Sequence, residues 1–317
     1  MHSIYPINDR SAWIRALRPP RSPVNPFKPI ACFLEQERSA EGRIVDSSVF
    51  LLASKECPWT CLMCDLWKHT TISPMPPGAI VRQIQCGLEQ LGTQTEQVKL
   101  YNSGSFFDAA AIPVSEYDGI AKNLNFAKHV IVESHPRLIG TRTQKLHEIL
   151  SGSLEVAMGL ETVHPTILPR LNKNFKLEDF AAATEFLLKE AIKVRAFVLI
   201  KPPFMPENEI VEWSVRSASF AFSCGVTSVS LIPTRIGNGA LEALMAAGEF
   251  SMPRLVTIEA AFNEVLALRL GRTFIDTWDL EKFASCPICV EQRRQRLHWM
   301  NLHQTFSPVI YCSRCQG

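Results

Sequence analysis

Apolar, β-branched runs recur along the chain: SVFLLAS at 48–54, VKLYN at 98–102, HVIVES at 129–134, LEVAMGLE at 154–161, VRAFVLIK at 194–201 and SVSLIPT at 228–234. Each is nearly continuous in apolar residues, as expected of a strand buried on both faces. Between them, at 79–91, 114–126, 142–150, 177–190 and 208–223, apolar positions fall three and four apart and predict amphipathic helices. Gly92 and Gly152 stand just past two of these helices, where a glycine closes the last turn without steric cost.

Six strands separated by helices predict an α/β fold with a parallel sheet. Right-handed crossovers curl such a sheet into a partial (β/α)6 barrel of the TIM type, although a flat doubly wound sheet satisfies the same periodicity. In both architectures functional side chains belong at the C-terminal ends of the strands. Helical segments at 240–248 and 253–268 and a short strand near 272–276 follow the sixth strand. The chain thus divides into a lead-in over 1–47, a core domain over 48–276 and a tail over 277–317. Proline punctuates the lead-in, which carries Arg15, Arg18, Arg21 and Lys28 and reads as an extended basic segment on the surface. The tail is too short for a core of its own, so a metal is expected to organise it.

Composition changes little in this picture. With 46% hydrophobic and 20% charged residues the chain reads as globular, and a net charge of +2 neither argues for nor excludes nucleic acid. Charges interrupt the first twenty residues where a secretion signal needs an apolar stretch, and no run is apolar for the length of a bilayer. No membrane association is expected, and the cytoplasm is the expected compartment.

The ten cysteines change more, because thiols in a reducing compartment that cluster in sequence usually bind metal. Cys57, Cys61 and Cys64 form CxxxCxxC just past the first strand, and Cys286, Cys289, Cys312 and Cys315 form two CxxC pairs. Cys32, Cys86 and Cys224 stand alone and read as small core residues. Three thiolates hold a [4Fe–4S] cluster with one iron left open for a ligand, whereas four close it. A catalytic zinc also keeps an open position, and His69 nearby keeps that alternative in play. Trp59 and Trp67 flank the loop, as packing or as shields for the cluster.

The triplet after the first strand of a partial barrel resembles the radical S-adenosylmethionine (SAM) superfamily. That resemblance implies that SAM chelates the open iron and that an electron from the cluster splits it to a 5′-deoxyadenosyl radical, the protein serving to orient and select. It also implies an external electron donor such as flavodoxin or ferredoxin. Ser103, Gly104 and Ser105, at the end of the second strand, occupy the place where superfamily members contact the SAM amine. Glu133 and Glu161 end the third and fourth strands, placed for a ribose diol or the amine, or for ion pairs with Arg137, Arg170 or Lys173. Lys201 and Arg235 end the fifth and sixth, suited to a carboxylate or phosphate or to rim pairing. Spacing singles out no proton or hydrogen-atom donor.

The stretches KLYNSGSFFD, VIVESHPRL, LEVAMGLETVHPTILPRLNKNFKLEDF and VRAFVLIKPPF resemble a subgroup related to the archaeosine-forming tRNA enzyme and, more distantly, the Elongator catalytic subunit. The resemblance implies tRNA as partner and substrate, with a transferase or lyase type of base modification. A small metabolite or peptide substrate, or a non-enzymatic metal- and RNA-binding module, are the alternatives. In the tail, the two CxxC knuckles predict a zinc-ribbon-like Zn2+ site, with an auxiliary iron–sulfur cluster as rival. Between them Arg293, Arg294, Arg296, His298, Trp299 and His303 suit phosphate contact and base stacking, or else a solvated loop.

Overall fold

The computed structural model describes residues 3–315. After helix α1 (Arg10–Ala16) the sheet begins with β1 (Ala31–Arg38) and β2 (Ile44–Leu51), which pair antiparallel. Two-residue strands β3 (Ser54–Lys55) and β4 (Thr70–Thr71) pair with each other and bracket the cysteine loop. Helix α2 (Ala79–Leu91) leads to β5 (Gln97–Tyr101), α3 (Tyr117–Asn123) to β6 (His129–Ser134), and α4 (Thr141–Ile149) to β7 (Ser153–Glu161). Then α5 (Leu177–Lys189) leads to β8 (Lys193–Ile200), and α6 (Ile210–Ser223) to β9 (Ser228–Pro233). Helices α7 (Ala240–Ala246) and α8 (Leu255–Ala267), strand β10 (Arg272–Ile275) and helix α9 (Val290–His303) complete the chain.

One eight-stranded sheet runs β1-β2-β5-β6-β7-β8-β9-β10, parallel from β2 onward. The apolar runs account for this arrangement. Val98, Val130, Val156, Val194 and Val229 are buried in the sheet, and Ile84, Ile120, Leu146, Leu187 and Ala218 of the helices join the same core. Each large apolar side chain so buried contributes about 1.5–3 kcal/mol. Among the described residues no helix is long and apolar enough to cross a membrane. Gly152 proves to serve close approach rather than helix capping, since a Cβ there would collide with the backbone of Ala127 and Lys128.

The sheet is curled rather than flat, because side chains link its two edges. Arg195 of β8 bonds Glu37 of β1 at 2.6 and 2.9 Å, and Arg272 of β10 donates to the Arg38 carbonyl at 3.1 Å. Trp278, just beyond β10, packs on Phe33 of β1 with ring centroids 5.4 Å apart. The opening near the start of the strands is plugged by charge. Lys99 pairs with Glu35 and Glu37, and Glu155 pairs with Arg195 at 2.7 Å and Arg272 at 3.1 Å.

Two expectations change here. Residues 31–38 are a strand of the sheet rather than part of an extended surface lead-in; the sequence ACFLEQER hid this because its inward residues, Glu35 and Glu37, are charged. The segment between the CxxC pairs is a helix, not a loop. Leu297 and Met300 of α9 enter the main core, so most of the tail is held by apolar packing as well as by its cysteines.

Candidate active site and metal centre

The first parallel strand, β2, delivers the chain to the mouth of the barrel, where Leu52 and Ala53 are buried and Cys57, Cys61 and Cys64 follow. The loop is tied on every side. Leu62 N–H donates to the Leu171 carbonyl at 2.9 Å, Asn172 Nδ2 to the Thr60 carbonyl at 2.7 Å, and Asn238 Nδ2 to the Leu62 carbonyl at 2.7 Å. Trp59 stacks flat on His135, centroids 3.7 Å apart, and His135 Nε2 meets the Lys173 carbonyl at 2.9 Å. His69 is exposed and joins no close ligand group with the thiols.

The basic lead-in is spent on this loop. Arg18 and Arg21 both pair with Glu56, the residue before Cys57. Arg21 also donates to the Trp67 carbonyl and to Thr70 Oγ1, and Arg18 lies over the Trp67 ring at 4.6 Å. Arg15 reaches Thr60 Oγ1 at 3.1 Å. Arg18 and Arg21 are therefore turned onto the loop while Arg15 stays exposed, and Trp67 is buried.

The strand-end residues gather around the thiols. Ser103 has a left-handed backbone, φ 55°, and the N–H groups of Asn102 and Ser103 donate to Glu133 Oε1 at 2.8 and 3.1 Å. Glu133 thus shapes the Ser103–Gly104 turn, and burial pushes its carboxyl up to about 7 against those two hydrogen bonds. Ser105 Oγ accepts from the His135 N–H at 3.1 Å and lies 3.9 Å from Cys57 Sγ. Glu161, also left-handed at φ 66°, pairs with buried Lys173. A register shift between Gly159 and Glu161 turns that carboxylate toward Lys173, and a Cβ on Gly159 would overlap both groups of the pair.

Lys201 bonds Glu207 at 2.6 Å and Ser251 at 2.7 Å, and Arg235 pairs with Asp276. Both rim cations are thus already partnered. Burial pushes all three thiols up, Cys64 to about 12. Against its own burial, Lys173 is held above its ordinary value by Glu161 and by Cys61. A buried ammonium acting on Cys57 and Cys61 suits ligands that must ionise, so the donor set fits an anionic thiolate-bound cluster. Sequence reasoning named Lys173 only as an ion-pair partner and missed His135 and Asn238. For His135 the available signal was a polar residue directly beyond a strand end.

At the N-terminal end of α9 the four cysteines of the tail meet. Cys286 Sγ and Cys312 Sγ lie 3.9 Å apart, Cys289 Sγ and Cys315 Sγ 3.7 Å, and all four lie within 4.8 Å of one another. Backbone N–H groups of Cys315 and Arg314 pull the Cys312 thiol down to about 6. This is a group able to hold a metal ion.

Two of the three arginines between the knuckles are turned inward rather than toward solvent as phosphate ligands would be. Arg293 and Arg296 are buried and pair with Glu259 of α8 at 2.6 and 3.2 Å. Arg294 bonds Glu281, Glu291 and the Thr277 carbonyl. Exposure remains for His298, Trp299 and His303, the last two stacked with centroids 4.2 Å apart.

No family model matches the chain. An archaeosine synthase subunit beta of Methanosarcina acetivorans is 29% identical over 66% of this chain and 63% of that protein. The same-named protein of Thermococcus kodakarensis is 30% identical over 53% and 56%. An uncharacterised protein of Methanocaldococcus jannaschii is 27% identical over 75% of this chain and 69% of that one. The chain therefore spans 56–69% of the length of these relatives. Among solved structures, an N-terminally truncated Elp3 of Methanocaldococcus infernus superposes with a TM-score of 0.54 at 16% identity, covering 80% of this chain and 62% of that one. A radical SAM methyltransferase of Sphaerobacter thermophilus gives 0.50 at 12%, covering 86% and 82%. The chain has the radical SAM fold.

Proposed function

We propose that this chain is a radical SAM enzyme, with Cys57, Cys61 and Cys64 as ligands of a [4Fe–4S] cluster, acting in the modification of a tRNA base. The observation that carries the reading is the three-thiol loop at the end of the first parallel strand, clamped by the lead-in arginines and faced by buried Lys173. The relatives named archaeosine synthase subunit beta support the tRNA base as substrate class.

A reduced cluster would supply the electron that splits SAM and so begins radical chemistry. The chain's own residues position and seal. Ser103 and Gly104 hold a partly exposed turn of the kind whose carbonyls suit an ammonium group, and Glu133 fixes that turn through the N–H groups of Asn102 and Ser103. Ser105 and the Trp59–His135 stack set the height of the Cys57 end of the loop. Lys173 offsets the charge of ionised thiols, and Glu161 keeps Lys173 in place.

Anaerobically reconstituted protein is expected to carry iron and sulfide and, once reduced with dithionite, to release 5′-deoxyadenosine from SAM. Cys61→Ala should abolish both. A preparation devoid of iron and indifferent to dithionite overturns the reading. Mass spectrometry of nucleosides in tRNA from cells with and without the gene tests the substrate. One observation favours a second reading, a small metabolite or peptide: Arg293 and Arg296, two of the three arginines between the knuckles suited to RNA, are paired inside the protein. An unchanged tRNA nucleoside profile selects it.

A further inference from the structure

We infer that Cys286, Cys289, Cys312 and Cys315 bind one tetrahedral divalent ion of the zinc class, not an iron–sulfur cluster, and that Arg293 is the positioning residue tying that ion to the barrel. The sulfur spacing carries the first part. A zinc–thiolate bond of about 2.3 Å gives a tetrahedron whose edges are roughly 3.8 Å. The two cross-knuckle distances, 3.9 and 3.7 Å, match that edge. A cubane sets its thiolates outside four separate irons, so they stand much farther apart than the 4.8 Å that encloses all four sulfurs here. Four thiolates leave no open position, so the ion is structural.

Arg293 carries the second part. It follows Cys289 by four residues on α9 and therefore lies on the same helix face. Its Nη1 donates to Glu259 Oε2 at 2.6 Å, while Nε and Nη2 are buried with no hydrogen-bond partner. Leaving such donors unsatisfied costs about 1–3 kcal/mol, more when charged. Cys289 interacts with the Arg293 side chain and offers its sulfur as an acceptor, and Arg293 lines a cavity of about 150 Å³ together with Cys286, Cys289 and Cys315.

Four thiolates around one divalent ion hold surplus negative charge, and N–H···S bonds from the guanidinium satisfy both partners. Glu259 accepts from Arg296 as well, and Arg296 also bonds the Ser307 and Pro308 carbonyls. The ion, Arg293, Glu259 and Arg296 thus form one connected path from the knuckles to α8 and back to the last segment of the chain.

The test uses the full chain with Cys57, Cys61 and Cys64 replaced by Ala, so that its outcome is independent of the radical reading. About one zinc per chain and no iron is expected, in keeping with a closed tetrathiolate site. Cobalt added in place of zinc should give the intense visible bands of tetrahedral thiolate coordination. Arg293→Met should weaken zinc binding about 10–100-fold against a competing chelator, with Arg293→Lys recovering part of the loss. Iron with sulfide in the cluster-loop variant, or four free thiols with no metal, overturns the ion. Chelator competition unchanged by Arg293→Met overturns the role of the arginine.

Discussion

At the scale of single residues, the Lys173–Glu161 pair has the largest calculable consequence. Both side chains are buried, and removing one leaves the other's charge without compensation. Lys173→Met is expected to cost about 3–5 kcal/mol in a denaturant titration, whereas Lys173→Met with Glu161→Gln should recover most of it. Gly159→Ala should resemble the single substitution, because the added methyl displaces the pair. Glu133 gives a pH dependence of defined sign. Burial raises its carboxyl from 4.5 to about 7, so the folded state holds a proton that the unfolded chain has released between those values. The associated stability is complete below 4.5 and is lost as pH climbs through 7, a fall of at most about 3 kcal/mol. Thermal unfolding across pH 5–8 should show that fall in the native protein and a flatter profile in Glu133→Gln.

At the scale of elements, the lead-in behaves as a clasp. Arg18 and Arg21 converge on Glu56 from one side while Trp67 stacks beneath Arg18, and Asn172 and Asn238 hold the loop from the other. Arg18→Ala leaves Glu56 with one cation instead of two and exposes one face of Trp67. If the loop carries the proposed cluster, the expected result is faster loss of its visible absorbance in air, with the midpoint of global unfolding shifted by no more than about 1–2 kcal/mol, as for loss of one partly buried ion pair. An unchanged bleaching rate would mean that the clasp does not shield the loop. Helix α9 shows how composition misleads at this scale. Its arginines read as a nucleic-acid face, yet Glu259 on α8, more than thirty positions earlier, draws two of them inside.

At the scale of the whole molecule, the charge plug joins strands from both edges of the curled sheet. Burial raises the Glu37 carboxyl, but Arg195 and Lys99 outweigh it and hold Glu37 well below the usual carboxylate range. Its stabilisation is therefore present above the ordinary carboxylate value and disappears in acid. Arg195→Met leaves Glu37 with Lys99 alone and Glu155 with Arg272 alone, and should lower the urea midpoint by the equivalent of up to about 3–5 kcal/mol with the slope unchanged. A loss below 1 kcal/mol would mean that the plug is dispensable for closure.

Much of this architecture was legible because it rests on local regularity. The runs that became β5 to β9 are buried on both faces and so are nearly continuous in apolar residues, broken by the buried Lys99, Glu155 and Arg195, and the two CxxC pairs meet as their spacing predicts. Strand β1 was illegible for the opposite reason, since its inward residues are acids whose partners lie about 60 and 160 positions away. The serine–glycine turn was legible as a place, but not that Glu133 from the next strand would hold it.

The amino-acid order alone determined the alternation of strand and helix, the place of the thiol loop at a strand's C-terminal end, and the paired knuckles. Those properties depend on periodicity and spacing within a few residues. Only the tertiary structure decided which charges are spent inside and which remain at the surface. An arginine meets its carboxylate through the folded path of the backbone, and no local pattern records that the two will be neighbours.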